Sequence, residues 1–149
     1  MSETLSSPFA YSNVTFQNAG PFSNVQEFYT AGPATWVKPS NGNFIRIECT
    51  GGGGGSSGTN HAGGGGGGFS WVNLPFSQVT NSTVAVNVGA GGTPANYDGG
   101  PTTFGPMGAG GTVTGWGGAG STTVAGGGGG GVAGAGGPLS ATAGAQGGG

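Results

Sequence analysis

Charge is what this 149-residue chain has least of. Only six residues carry a formal charge, namely Glu3, Glu27, Lys38, Arg46, Glu48 and Asp98. All but the last precede residue 51, and the net charge at pH 7 is −2. Two cations cannot neutralise a phosphate backbone, and so weak a field attracts no anionic lipid surface. We therefore expect neither nucleic acid nor an anionic membrane among the partners.

Cysteine and long apolar runs are equally scarce. Cys49 is the single cysteine, so an intrachain disulfide is excluded, and a lone thiol in an alternating strand is ordinarily a small buried hydrophobe. The start, MSETLSSPFAYSN, lacks the basic and apolar regions of a secretory signal, and no run of about 18 apolar residues occurs. We expect a soluble chain made in a cytoplasm, without membrane insertion.

The few titratable side chains also argue against catalysis. The glycine runs match G-x-G-x-x-G many times, but no helix follows them, and the only lysine, Lys38, precedes every run. His61 and Cys49 are single, which is too few for a zinc site. Asp98 in NYDGG is interpreted as a turn residue. We expect no enzyme, with no catalytic residue, cofactor or metal.

The residues before position 51 look like ordinary β-structure. NVQEFYTAG is predicted to be a short strand ending at Gly32-Pro33, and a tight turn is predicted at 39–42. NFIRIECT then alternates, so that Ile45, Ile47 and Cys49 share one face while Phe44, Arg46 and Glu48 share the other. On that second face, Arg46 and Glu48 are spaced to pair.

Glycine dominates the remainder, since all but three of the 41 glycines follow residue 50. Further strands are predicted in FSWVNLPF (69–76) and STVAVNVGAGG (82–92), with Val84, Val86 and Val88 on one face. No strand is predicted beyond residue 92. No segment has a sustained helical period, and 41 glycines with nine prolines disfavour helix throughout. The predicted fold is mainly β, with a small sandwich-like core and no substantial helix.

The glycine runs allow two interpretations. Glycine-rich tracts are ordinarily flexible, and ordering each glycine costs roughly 1–2 kcal/mol with no side chain to bury in return. Disordered tracts are, however, poor in large aromatics. This half of the chain contains Phe69, Trp71, Phe76, Tyr97, Phe104 and Trp116. Glycine also lets extended, three-residue-per-turn backbones lie side by side. We expect an ordered polyglycine-II-like bundle, with Ser56 to Ala62 as a loop.

Several short motifs recur in a fixed order. TAGPATWVKPSNG contains a Trp-x-x-Pro turn at Trp36 to Pro39, and NFIRIECTGGGGG is a strand ending in a glycine run. VNVGAGG, from Val86 to Gly92, fits the pattern VxVGxGG, and Phe104-Gly105 follows Gly99-Gly100. Over roughly residues 26–120, this order resembles the glycine-rich domain of bacteriophage virion proteins. The resemblance implies a component of tail fibres, fibre-tip adhesins or other parts of the particle surface.

The predicted organisation is an extended N-terminal arm (1–25) followed by a glycine-rich β domain (26–149). The domain is expected to be strand-rich over 26–92 and to form the glycine bundle and tail over 93–149. Aromatic residues of the arm have no local partners and are predicted to bury in grooves of other virion proteins, in capsid or tail. These residues are Phe9, Tyr11, Phe16 and Phe22. The alternative is that the arm is a frayed terminus with no docking role.

The leading functional prediction is a non-enzymatic structural protein on the virion surface, made in the host cytoplasm and assembled as a homo-oligomer or within another symmetric assembly. The alternative is a receptor-binding adhesin module of a tail fibre, contacting a bacterial surface receptor through loops between glycine segments. The residues predicted to face that receptor are Ser56, Thr59, Asn60, His61, Asn96, Tyr97, Asp98 and Trp116. For Tyr97 and Trp116, packing in the core or at the edge of the bundle is the favoured alternative. A remote alternative is an ice-binding glycine bundle, although the regular three-residue repeat of such proteins is absent.

Overall fold

A computed structural model describes residues 24–56, 62–93, 96–121, 126–131 and 134–136. In this part of the chain there are six β-strands and one 3₁₀ turn at Phe76–Gln78. The strands are β1 Gly32–Val37, β2 Phe44–Thr50, β3 Phe69–Pro75, β4 Thr83–Val88, β5 Thr102–Phe104 and β6 Val113–Gly115. The protein is mainly β, as predicted, and its described residues contain no helix beyond that single turn.

The strands form two antiparallel sheets. One has four strands in the order β1-β4-β5-β6, and the other is the β2–β3 hairpin. β2 packs against β5 and β6, and β3 packs against β6, so the apolar sides of the two sheets meet. The core between them consists of Trp36, Ile47, Cys49, Val79, Val84, Val86, Phe104 and Met107. The predicted sandwich-like core is therefore present.

The core is built from the side chains that the alternating patterns placed on one face. In β2, Ile47 and Cys49 are buried, whereas Arg46 and Glu48 are exposed. Val84 and Val86 of β4 are likewise buried. On the buried side of the four-stranded sheet, the Trp36 ring of β1 packs edge-on against the Phe104 ring of β5, with centroids 5.4 Å apart. Period-two alternation thus translates directly into burial here.

The first strand differs from the prediction. NVQEFYTAG was predicted to form a strand ending at Gly32-Pro33, but β1 begins at that dipeptide and residues 24–31 are not in a strand. Val25 and Tyr29 of the predicted strand are 71% and 79% exposed. β1 is an edge strand paired only with β4, where a proline is tolerated. Pairing with β4, and the burial of Trp36 that it allows, decide the boundary.

β5 and β6 were not predicted at all. Each has three residues, which is too short for an alternating pattern to appear. They exist because tertiary pairing supports them: Phe104 pairs with Val86 of β4, and Val113 pairs with Phe104. The buried Phe104 ring then fixes β5 against the core. The strands therefore extend beyond residue 92 and are not confined to 26–92.

Among the residues that the structure describes, six glycine-rich segments lie side by side and bond to one another through their backbones. They are segment a (51–56), segment b (62–68), segment c (89–93), segment d (96–101), segment e (115–121) and segment f (126–131). Segment a continues β2, and segment b leads into β3. The antiparallel pairing of the hairpin runs on into them, since the Gly51 and Gly54 amides donate to the carbonyls of Gly68 and Gly65 at 2.9 and 2.7 Å.

Successive residues of segment a bond to different neighbours. The amides of Gly52 and Gly55 donate to carbonyls of segment d at 2.9 and 2.7 Å, while the carbonyl of Gly53 accepts from segment c at 2.8 Å. Bonds to one neighbour therefore recur every third residue, as expected for backbones with three residues per turn. We call these six segments the glycine lattice; it is the predicted polyglycine-II-like bundle.

The lattice contains neighbours of both polarities. Segments b and e are antiparallel, because the Gly65 and Gly68 amides donate to Ala119 and Trp116 at 2.8 and 2.7 Å. Segments b and f are parallel, with bonds that advance by three residues in each. Segments a and b precede residue 92, and segments d, e and f follow it. Strands and lattice are thus interleaved along the chain.

Close approach of neighbouring backbones explains why many positions in these segments are glycine. A Cβ on Gly67 would lie 1.8 Å from the Gly51 carbonyl oxygen, and one on Gly54 would lie 2.1 Å from that of Ala119. Neither glycine has a positive φ, so a left-handed backbone is not the reason. The space beside the α-carbon is already filled by a neighbouring main chain.

Candidate functional site

The outward side of the β2–β3 hairpin presents aromatic rings to solvent. Phe44, Phe69 and Trp71 are 63%, 48% and 54% exposed. Strand alternation puts all three on the side opposite the core, and the register places Trp71 opposite Glu48. We call this surface the aromatic face. Its members are Phe44, Arg46, Glu48, Thr50, Phe69, Trp71, Asn73 and Pro75.

An ion pair lies at the centre of the aromatic face. Arg46 Nε donates to Glu48 Oε1 at 2.6 Å, which confirms the predicted pairing. The Arg46 guanidinium carbon is also 5.0 Å from the centroid of the Trp71 ring, within the range of a cation–π contact. Both charged side chains are well exposed, so water screens the pair and its contribution to stability is under about 1 kcal/mol. Its main effect is to hold the guanidinium beside the indole.

Two of the predicted receptor-facing residues lie exposed at ends of lattice segments. Ser56 ends segment a and forms an isolated parallel bridge with Ser121. Asn96 begins segment d and is tied to Thr93, since its amide donates to the Thr93 carbonyl at 3.1 Å and to the Thr93 hydroxyl at 3.2 Å. Both positions have defined backbone pairing and a surface that a ligand can reach.

Two neighbouring predicted residues are engaged in the lattice itself. Tyr97 is half-buried, and its carbonyl accepts the Gly55 amide at 2.7 Å. Asp98 Oδ1 accepts the Gly120 amide at 2.7 Å. The carboxylate therefore joins segment d to segment e, and its contact is with the protein backbone. This role was not predicted, because nothing local in NYDGG indicates a partner so far along the chain.

Trp116 lies at the wall of an open cleft beside β3 and β6. The cleft is lined by Ser70, Val72, Gly110, Thr112, Val113, Thr114 and Trp116. Ser70 Oγ is buried, and among the described residues it has no hydrogen-bond partner. Trp116 is half-buried, and its carbonyl accepts the Gly68 amide at 2.7 Å. The residue is thus part of segment e and lines the cleft.

Two other chemically reactive side chains, Lys38 and Cys49, contact other groups of the protein. Lys38 Nζ donates to the Val79 carbonyl at 2.5 Å and lies 4.5 Å from the centroid of the Phe76 ring. Cys49 is 3% exposed, as predicted, and burial raises the pKa of its thiol to about 11.

In the described ranges, no three His, Cys, Asp or Glu side chains cluster as metal ligands, and no helix has the length and apolarity needed to cross a bilayer.

Several predicted residues lie outside the described residues. They include Thr59, Asn60 and His61, which were predicted to lie in the loop from Ser56 to Ala62. The four arm aromatics, Phe9, Tyr11, Phe16 and Phe22, precede residue 24. Receptor contact by the loop and docking by the arm stay predictions.

The aromatic face is the part that sequence reasoning missed. The alternation in FIRIECT already separated Phe44, Arg46 and Glu48 from the buried residues, but Phe69 and Trp71 were interpreted only as evidence for order. The signal available was the period-two spacing of Phe69, Trp71 and Asn73. The spacing alone did not indicate a shared surface, because only the hairpin register brings these residues next to Phe44, Arg46 and Glu48.

A family model described as a glycine-rich domain matches residues 29–149. Comparison with curated proteins and with solved structures finds no significant match. The matched range begins just before β1 and contains every strand and every lattice segment.

Proposed function

The chain belongs to the glycine-rich domain family, and we propose that it is a non-enzymatic structural protein on the surface of a bacteriophage particle. The resemblance of its ordered motifs to virion glycine-rich domains is the starting point. Trp36 of the Trp-x-x-Pro motif is buried in the core. The VxVGxGG motif spans the end of β4 and segment c. The motifs are thus integral to the fold, which supports using them for comparison.

The observation that carries the proposal is the glycine lattice. Its segments hold one another through main-chain hydrogen bonds in several directions, and they leave little room for side chains between them. Asp98 is the only formal charge after residue 50. A rigid, weakly charged body of this kind suits a projecting component that must withstand proteases outside the cell. We propose that the lattice is this exposed body.

Attachment to the particle is assigned to the N-terminal part. We propose that residues 1–25 dock on other capsid or tail proteins through Phe9, Tyr11, Phe16 and Phe22. Aromatic side chains are enriched where protein interfaces are most buried. Virion proteins assemble with symmetry, so several copies per particle are expected, each with its glycine-rich domain outward.

Quantitative mass spectrometry of purified particles tests the proposal by counting this chain against the major capsid protein. A copy number on the order of hundreds indicates a capsid decoration, and about three to a few dozen indicates the tail or its fibres. Either result supports a virion component. Absence from particles that retain infectivity overturns the proposal.

The alternative function, a receptor-binding adhesin module, is favoured by the exposed aromatic face and by the ordered, exposed Ser56 and Asn96. Exposed apolar patches commonly mark interaction sites. This alternative requires a tail location and therefore a low copy number. It also requires that the purified chain compete with particles for adsorption to host cells, whereas a capsid decoration would leave adsorption unchanged.

A further inference from the structure

We propose that the aromatic face is a binding site for a neutral saccharide. This inference goes beyond the virion assignment and does not depend on it. It follows from four properties of the face: an exposed indole, hydrogen-bonding groups at its border, zero net charge and a small footprint. The last three properties each disfavour a different class of ligand.

The indole of Trp71 provides the platform. Trp71 is 54% exposed, and the Arg46 guanidinium carbon lies 5.0 Å from its ring centroid. The face of an aromatic ring carries partial negative charge. The C–H groups on one side of a pyranose ring carry partial positive charge and can stack on it. Phe69 lies two residues earlier on the same face of the strand, so its α-carbon is about 7 Å from that of Trp71 and it adds a second aromatic ring to the face.

Polar groups border the platform. Arg46 supplies donors, and Glu48 supplies acceptors directly opposite Trp71. The amide side chain of Asn73, which pairs with Arg46 across the hairpin, offers both a donor and an acceptor. Adjacent hydroxyl groups of a sugar need such a mixture. A purely apolar ligand would leave these groups unpaired, at a cost.

The absence of net charge on the aromatic face favours a neutral saccharide over an ionic ligand. Arg46 and Glu48 neutralise one another at 2.6 Å, and the other members of the face are uncharged. An anionic ligand would compete with Glu48 for the guanidinium, and a cationic ligand would compete with Arg46 for the carboxylate. A neutral ligand can bond to both while leaving the pair intact.

The area of the aromatic face favours a saccharide over a protein partner. Two strands of seven residues cover about 23 Å by 10 Å, or roughly 230 Å², at the usual rise and strand spacing. Stable protein interfaces bury about 800 Å² on each partner. The face is therefore too small for a stable dimer by itself, and its size fits a few sugar rings.

Isothermal titration calorimetry tests the proposal with the full-length chain. The probes are maltohexaose, cellohexaose and N-acetylchitohexaose, each titrated to millimolar concentration. We expect heat of binding with at least one of them. Trp71→Ala should weaken that binding by at least about tenfold, as expected for loss of an aromatic stacking partner. Trp71→Phe should retain part of the affinity.

Tyr29→Ala is the matched control, because Tyr29 is 79% exposed but lies outside the face. It should bind as the wild type does. Thermal unfolding of each variant confirms that it is folded. No binding of any neutral probe overturns the proposal, as does wild-type affinity in Trp71→Ala. Self-association that Trp71→Ala abolishes, without sugar binding, would instead assign the face to a second copy and also overturn it. Copy number on particles is measured separately, so the two proposals can fail independently.

Discussion

At the scale of single residues, the space around a glycine α-carbon decides which positions accept a side chain. Neighbours in sequence differ sharply. A Cβ on Gly66 would meet nothing within 4 Å, whereas one on Gly67 would overlap the Gly51 carbonyl oxygen at 1.8 Å. Both glycines lie in segment b, and neither has a positive φ. Comparing the same substitution at these two glycines therefore separates the effect of steric room from the other properties of glycine.

We therefore expect Gly67→Ala to lower the free energy of unfolding by at least about 3 kcal/mol, because two main chains must separate to admit the methyl group. Gly66→Ala should leave stability unchanged or raise it by about 0.4–1 kcal/mol, since alanine restricts the unfolded chain. Urea unfolding of both variants checks the pair. Equal effects would mean that the two backbones are not in close contact at Gly67.

Cys49 gives a second prediction for a single residue. Its native thiol has a pKa of about 11, above the reference value of 9.0 for a free thiol. Between these pH values unfolding releases a proton, so the stability contribution is complete below about pH 9 and is lost as pH rises toward 11. The thiol should also resist alkylation at pH 8.

Chemical unfolding at several pH values, for the wild type and for Cys49→Ala, checks this. Other groups titrate equally in both proteins, so the difference between their unfolding free energies isolates the thiol. We expect it to be constant up to about pH 8 and to shift against the wild type above pH 9. A difference that does not vary with pH would contradict a buried thiol.

At the scale of elements, the strands and the lattice segments are stabilised differently. The strands bury side chains such as Ile47 and Val84, whereas the lattice segments are held together mainly by backbone hydrogen bonds. A side chain that hydrogen-bonds from one segment to another therefore contributes an unusually large share of the stability there. Asp98 is such a bridge, since its carboxylate accepts the Gly120 amide of segment e at 2.7 Å.

Asp98→Ala should lower the free energy of unfolding by about 1 kcal/mol, because it removes a hydrogen bond to a charged acceptor at a solvent-exposed site. Asp98→Asn retains an acceptor oxygen and should lose less. Thermal or urea unfolding measures both. If the two substitutions are equally harmful, the charge rather than the hydrogen bond to Gly120 is what matters.

At the scale of the whole molecule, the lattice and the sandwich form one continuous hydrogen-bonded structure. The hairpin pairing passes from β2 and β3 into segments a and b without a break. Gly115 ends β6 and begins segment e. Opening the lattice therefore disturbs the strands that support it, and we expect a single cooperative unit.

Native-state hydrogen exchange checks this unit. The lattice amides of Gly51, Gly54, Gly65 and Gly68 all donate to carbonyls, and we expect them to be protected by at least about a thousandfold, with the same free energy of opening as amides of β4. The amide of the exposed Val25, outside the sheets, serves as the fast-exchanging control. Lattice amides that exchange as fast as that of Val25 would contradict an ordered lattice.

Much of the fold could be predicted from the sequence. The alternation of Ile45, Ile47 and Cys49 identified β2 and its buried side, and Val84 and Val86 did the same for β4. The glycine and proline content excluded substantial helix. The aromatics spread among the glycines indicated order. These inferences succeeded because each depends on neighbours within a few residues.

Only the tertiary structure decided the rest, because it depends on which distant segments meet. Pairing with β4 set the start of β1 and supported the three-residue β5. Burial separated Trp36, inside the core, from Trp71, on the surface, although both lie in alternating strands. Alternation says which side chains share a face, but the second sheet decides which face is covered. Likewise, composition specified that this chain is rich in glycine, and the packing of main chain against main chain decided which glycines cannot be replaced.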